Sequence, residues 1–165
     1  MPRIALVNPP HAEYLQFNRE GRCQQNVSAF GYVMLPISLL YVAALLRREG
    51  FSVEIIDCMS EKKYEMHRFL DNLERISPQV TIISLSTPTL SNDITVAKLI
   101  KNRIKTHIAG IGLHVSLFPE EVLLNSQLDS VIRREPELTS LELVQALNKN
   151  GDLKNIKGLS YKEND

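Results

Sequence analysis

A doubly wound α/β domain, with helices on both faces of a parallel sheet, is the fold class this sequence predicts, and three observations predict it. Five short runs rich in Ile and Val recur along the chain, nearly continuous in apolar character, as strands covered on both faces require. Apolar stripes at helical spacing separate them. The alternation fits within 165 residues of 44% hydrophobic content, enough for one core and little more, so residues 1–165 form a single domain.

The elements follow in order. Ile4–Val7 is the first strand. Leu39, Val42, Ala43 and Leu46 then mark a helix that Gly50 closes as a C-terminal cap. Val53–Ile56 is the second strand, followed by a helix with Ser60 as its N-cap. Its stripe of Met66, Phe69, Leu70, Leu73 and Ile76 stops before Pro78. Val80–Leu85 is the third strand, and Val96, Ala97, Ile100 and Ile104 belong to the helix that starts around Ser91 and Asn92. Ile108–Ile111 is the fourth strand, after which Pro119 opens a short helix through Leu124. Ser130–Ile132 is the fifth strand, and Leu141, Val144 and Leu147 lie on a last helix ended by Gly151. The expected strand order is the flavodoxin-like 2-1-3-4-5, which puts a crevice between the first and third strands. Gly158–Tyr161 is expected to add an edge strand.

Composition excludes several classes of function. Nineteen Lys and Arg balance nineteen Asp and Glu, with no basic run, which argues against a nucleic-acid partner. The longest uncharged stretch, Val80–Asn92, is interrupted by Ser and Thr and too short to cross a bilayer, and there is no apolar leader; no membrane association and a cytoplasmic location are expected. Cys23 and Cys58 form no Cys-x-x-Cys pair and no cluster with His, so no side chain here is expected to ligate a metal.

The connection from Asn8 to Pro36 is far longer than the roughly two to six residues usual between strand and helix. It carries Tyr14, Phe17, Phe30, Tyr32 and Met34 beside His11, Asn18, Asn26 and Ser28, a mixture able to cover an apolar ligand and hydrogen-bond it. A disordered or partner-binding insertion is the alternative. Ligands of open α/β sheets bind outside the carboxyl ends of the strands. Those ends read Asn8-Pro9-Pro10-His11, Asp57-Cys58, Ser84-Leu85-Ser86-Thr87-Pro88-Thr89, Gly110-Ile111-Gly112-Leu113-His114 and Arg133-Arg134-Glu135. The rim is polar without the clustered carboxylates a phosphate-accepting magnesium site needs. Neither Gly-Lys-Ser/Thr nor Gly-x-Ser-x-Gly occurs, so no catalytic residue is assigned. Ser84 and Ser86 serve either packing or ligand contact, Gly110 and Gly112 either a turn or close approach of a ligand to the backbone, and His11 and His114 are loop histidines.

Taken in order, Asn8-Pro9-Pro10, Leu35 through Leu46, Val53 through Asp57, Ser84 through Thr89, His114 with Phe118 through Leu123, Val131-Ile132-Arg133 and Ile156 through Tyr161 resemble the N-terminal cobalamin-binding domain of cobalamin-dependent radical SAM enzymes. Nearly the whole chain is covered. The resemblance implies cobalamin held at the carboxyl ends of the strands by Asn8, Pro9, Pro10, Ser84, Ser86, Thr87, Gly110, Gly112, His114 and Arg133, with its nucleotide tail against Ser84, Ser86, Gly110 and Gly112. No Asp-x-His-x-x-Gly loop is present, so the cofactor is expected base-off with no histidine on cobalt. The family's catalytic half, with S-adenosylmethionine and a four-iron four-sulfur cluster on Cys-x-x-x-Cys-x-x-Cys, is expected as a covalently linked domain downstream, in a methyltransferase or ring-forming cyclase. Two places depart from the family: Ile111-Gly112-Leu113-His114 where it keeps paired glycines, and Arg134-Glu135-Pro136-Glu137 where it has Gly-Glu-Gly-Glu. Those larger side chains motivate a second reading, a degenerate flavodoxin-like module for docking or for another small ligand.

Overall fold

The computed structural model describes residues 2–21, 24–29 and 31–163; Cys23 and Phe30 lie outside them. Strand β1 (Arg3–Asn8) leads into the long connection, which carries a small antiparallel pair, β2 (Phe17–Asn18) and β3 (Gln25–Asn26). Then come α1 (Ile37–Arg48), β4 (Ser52–Asp57), α2 (Met66–Ile76), β5 (Val80–Ser84), α3 (Leu90–Arg103) and β6 (His107–Ile111). Two short helices, α4 (Leu113–Leu117) and α5 (Pro119–Leu124), precede β7 (Ser130–Ile132), α6 (Pro136–Asn148) and β8 (Leu159–Tyr161).

The main sheet runs β4-β1-β5-β6-β7-β8. Its first five strands are parallel and follow the expected 2-1-3-4-5 order, while β8 pairs antiparallel with β7 as the added edge. Strand pleating divides the core. Ile4, Leu6, Val53, Val80, Ile82, Ala109, Ile111 and Ile132 point to one face, under Leu39, Val42, Ala43 and Leu46 of α1 and Leu143 and Val144 of α6. Ala5, Val7, Ile56, Ile83, Ile108 and Val131 point to the other, under Phe69, Leu70, Leu73 and Ile76 of α2 and Val96, Ala97 and Ile100 of α3. Burial on both faces is why these strands read as continuous apolar runs rather than alternating ones.

Two local expectations are corrected. Ser60 does not cap α2: it closes a short 3-10 turn (Cys58–Ser60), its hydroxyl donating to the Asp57 carbonyl at 2.6 Å, and the helix begins at Met66. The segment after Gly112 coils into α4, a helix of five residues and too short to show a period.

Candidate functional site

The described residues of the long connection form a polar clasp over the strand ends. Arg19, 6% exposed, donates from both terminal guanidinium nitrogens to Asp93 on the first turn of α3, at 2.6 and 2.9 Å, and to the carbonyl of Ser84 at 3.0 Å. Asp93 also accepts from the Thr89 hydroxyl at 2.6 Å. The charges are compensated by bidentate geometry, the condition under which a buried ion pair is tolerated. Glu20 accepts from the backbone N–H and hydroxyl of Ser38, at 3.2 and 2.8 Å, capping α1 from another part of the chain. Gln24 donates to the Arg19 carbonyl at 3.1 Å, and Asn92 exchanges hydrogen bonds with Ala12 and Pro10.

Behind this clasp lies a cleft of about 570 Å³ at the carboxyl ends of β5 and β6. Arg19, Glu20 and Gln24 form one wall, Leu113, Ser116 and Leu117 of α4 another, and Arg134, Glu135 and Pro136 the third. Ser84 and Ile111, paired across the β5–β6 ladder, make the floor with Gly112. The Ser84 hydroxyl has no hydrogen bond among the described residues, so a donor and acceptor stands free there in an otherwise apolar floor.

The residues expected to contact a ligand separate into groups. Ser84 and Gly112 are in the cleft. Ser86 is fully buried, its hydroxyl shared with Thr89 at 2.6 Å. Gly110 projects to the opposite face of the sheet, where a Cβ would lie 2.9 Å from Leu85 Cδ1 and 3.1 Å from Leu128 Cδ1; the space beside it belongs to the core. At Gly112 (φ +131°) a Cβ would stand 2.1 Å from the Leu85 carbonyl oxygen, so glycine is required by backbone meeting backbone. Thr87 shares a 3.2 Å hydrogen bond with Nδ1 of His114, whose Nε2 is buried without a partner among the described residues and whose ring packs on Phe118. Asn8, Pro9 and Pro10 are buried beyond the cleft, Asn8 donating to Asp57 at 2.8 Å. Burial is the main force raising the Asp57 carboxyl above its ordinary range, and hydrogen bonds from Met59 and Asn8 oppose it. Arg133 lines a second pocket of about 570 Å³ that shares Arg134 and Glu135 with the first, and its Nε is also buried without a partner among the described residues. Cys58 is 1% exposed, and desolvation pushes its thiol up, away from nucleophilic use.

Sequence reasoning missed Arg19, Asp93, Glu20 and Ser38. The Arg19–Asp93 partners stand 74 positions apart, and the one local hint is an acid in the first turn of a helix whose buried neighbours are apolar. Among the described residues no group of three or more His, Cys, Asp or Glu could hold a metal ion, and no helix is long and apolar enough to cross a membrane.

Residues 25–144 match the family model of the B12 binding domain. The uncharacterized methyltransferase PH0819 of Pyrococcus horikoshii is 37% identical over 132 residues, 78% of this chain and 28% of that protein. The fold superposes with a TM-score of 0.77, at 17% identity, on the radical S-adenosylmethionine methyltransferase TsrM from Kitasatospora setae with cobalamin and a [4Fe-4S] cluster bound, covering 98% of this chain and 29% of that one. Against the cobalamin-dependent S-adenosylmethionine radical enzyme OxsB with aqua-cobalamin and S-adenosylmethionine bound, the TM-score is 0.78 at 20% identity, covering 99% of this chain and 21% of that one. This chain spans less than a third of the length of each.

Proposed function

The chain belongs to the B12-binding domain family, and from that premise we propose that it is the cobalamin-holding part of a radical SAM enzyme of the methyltransferase or cyclase type. The observation that carries this reading is the cleft itself. It opens at the carboxyl ends of the strands, its floor is apolar except for one unclaimed hydroxyl on Ser84, and its walls are braced by Arg19–Asp93 and Glu20–Ser38. That combination suits a flat aromatic base carrying a ring nitrogen, the end group of the cobalamin tail. Residues present therefore fit the cofactor: Ser84 would donate to the base, Ile111 and Leu117 would pack against it, and Gly112 would keep the floor low.

Bound there, cobalamin would supply a cobalt–carbon bond for methyl transfer or tune radical chemistry. The chain's own part is to bind, orient and exclude water. His114 is held by Thr87 and Phe118, and His11 packs on Phe17 with its Nδ1 accepting from the Glu13 N–H. Neither lies in an Asp-x-His-x-x-Gly sequence, and base-off cofactor without a histidine ligand is the expected state. Leu113, Leu117, Leu138, Ile37 and Tyr41 stay exposed on the helices that bound the cleft. Such a surface favours a covering partner, here a covalently linked radical SAM domain carrying S-adenosylmethionine and a four-iron four-sulfur cluster, in the cytoplasm.

Hydroxocobalamin titrated into the purified chain tests the reading, followed by visible absorbance and by co-elution on gel filtration. Stoichiometric co-elution with a base-off spectrum is expected. An unchanged spectrum and no co-elution at saturating cofactor would overturn it in favour of a docking module.

A further inference from the structure

Cobalamin's nucleotide tail joins its base to the corrin through a phosphodiester, a fixed negative charge that must pass the mouth of whatever crevice holds the base. Resting on the cofactor reading, we propose that Arg134 pairs with this phosphodiester and makes the site select tail-bearing corrinoids over tail-less ones. The residue stands in the left-handed region (φ 64°), where an arginine carries a backbone cost that glycine would not. Its N–H donates to the Ser116 hydroxyl at 2.8 Å, and that hydroxyl donates onward to the Gly112 carbonyl at 2.9 Å. The backbone is thereby tied across the mouth of the cleft while the guanidinium has no ion-pair or hydrogen-bond partner among the described residues.

Among the described residues that line the cleft, no other cation is available. Arg19 is consumed by Asp93, whereas Glu20, hydrogen-bonded by the neutral Ser38, keeps its negative charge. Glu20 and Glu135 also face the cleft and the adjoining pocket adds Glu142 beside Arg133 and Lys157, so three cations and three carboxylates balance around the mouth and Arg134 is the cation set on the cleft wall itself. A planar guanidinium suits two phosphate oxygens better than an ammonium does.

The test compares hydroxocobalamin with dicyanocobinamide, a corrinoid lacking the nucleotide tail, in equilibrium dialysis against the wild-type chain, R134G, R134K and E135Q at low and high salt. Glycine accepts the backbone conformation of residue 134, so R134G should unfold at the same temperature as wild type or higher. R134G is expected to bind cobalamin about five-fold more weakly and to lose most of the salt dependence, with cobinamide affinity unchanged. R134K should fall between, and E135Q should strengthen cobalamin binding slightly. Cobalamin held as tightly or more tightly by R134G would show that Arg134 merely obstructs the cleft and would overturn the inference, as would equal losses for both corrinoids. A wild-type chain that binds both equally sinks the inference and leaves the cofactor reading standing. One that binds neither removes the cofactor reading itself.

Discussion

At the amino ends of the strands, Thr81 and Thr106 share a 3.0 Å hydrogen bond, Nε2 of His107 lies 2.8 Å from the Ser130 hydroxyl, and Asp129 takes both the Ile108 N–H and the Lys101 ammonium at 2.6 Å. At the carboxyl ends the same kinds of residue leave Asn8 Oδ1, Arg19 Nε, His114 Nε2 and Arg133 Nε buried without partners among the described residues, and the Ser84 hydroxyl unbonded among them. One edge is a closed network that ties helix to strand. The other carries unsatisfied groups, at a cost of roughly 1–3 kcal/mol for each fully buried one, which a ligand can relieve. Polarity alone therefore does not mark a site; unspent hydrogen-bonding capacity does.

Substitutions at the two edges can break or sharpen that contrast. The largest effect belongs to Gly112→Val, where a Cβ would stand 2.1 Å from a backbone oxygen. Loss of more than about 4 kcal/mol in urea unfolding is expected, through the fold rather than through a filled ligand channel. Next comes Asp93→Ala, which strands the Arg19 guanidinium, 1% exposed in its side chain, and should cost about 3 kcal/mol. The double variant Arg19→Met, Asp93→Leu should unfold at higher urea than the single one; an equal or lower midpoint would show that the clasp does more than neutralise a charge.

The paired serines give the direct comparison. Ser130→Ala removes the partner of His107 and should lower stability by about 1 kcal/mol with cobalamin affinity unchanged. Ser84→Ala removes an unbonded hydroxyl and should change stability by less than about 0.5 kcal/mol while weakening cobalamin about five-fold in equilibrium dialysis. Reversal of either pair of outcomes would contradict the division between the edges.

The smallest expected effect is a pH slope. Desolvation holds His107 below its ordinary value of 6.5, with the Asp129 carboxylate opposing, so on acidification the unfolded chain takes up its proton first. Stability should then fall as pH drops through 6.5 and be independent of this group above it. His107→Gln should flatten that part of a urea-midpoint series between about pH 7 and 5.

Much of the architecture was legible in the residues. Val80–Ser84 and His107–Ile111 are strands because β-branched runs buried on both faces admit little else, and the stripe from Met66 to Ile76 has a period only a helix satisfies. The five-residue α4 was invisible because it is barely longer than one turn, and Ser60 misled because a serine hydroxyl can either accept from a helix N–H as a cap or, as here, donate to a backbone carbonyl in a short turn.

The site was legible only in part. The rim segments and the placement of Ser84 and Gly112 at the strand ends could be read, since strand ends are where such folds bind ligands. Which of two neighbouring residues faces the cleft could not. Ser84 pairs with Ile111 on the cleft side, and Gly110, one position earlier, turns its missing side chain into the core. The clasp was equally hidden, because partners 74 positions apart, Arg19 and Asp93, have no local signature. Sequence by itself determined the elements, their order and the end of the sheet where the cleft opens, since these follow from local periodicity and chain connectivity. Tertiary structure decided which hydroxyl stays free, which glycine meets backbone and which arginine is spent or unspent, because hydrogen-bond satisfaction depends on groups that only folding brings within 3 Å of one another.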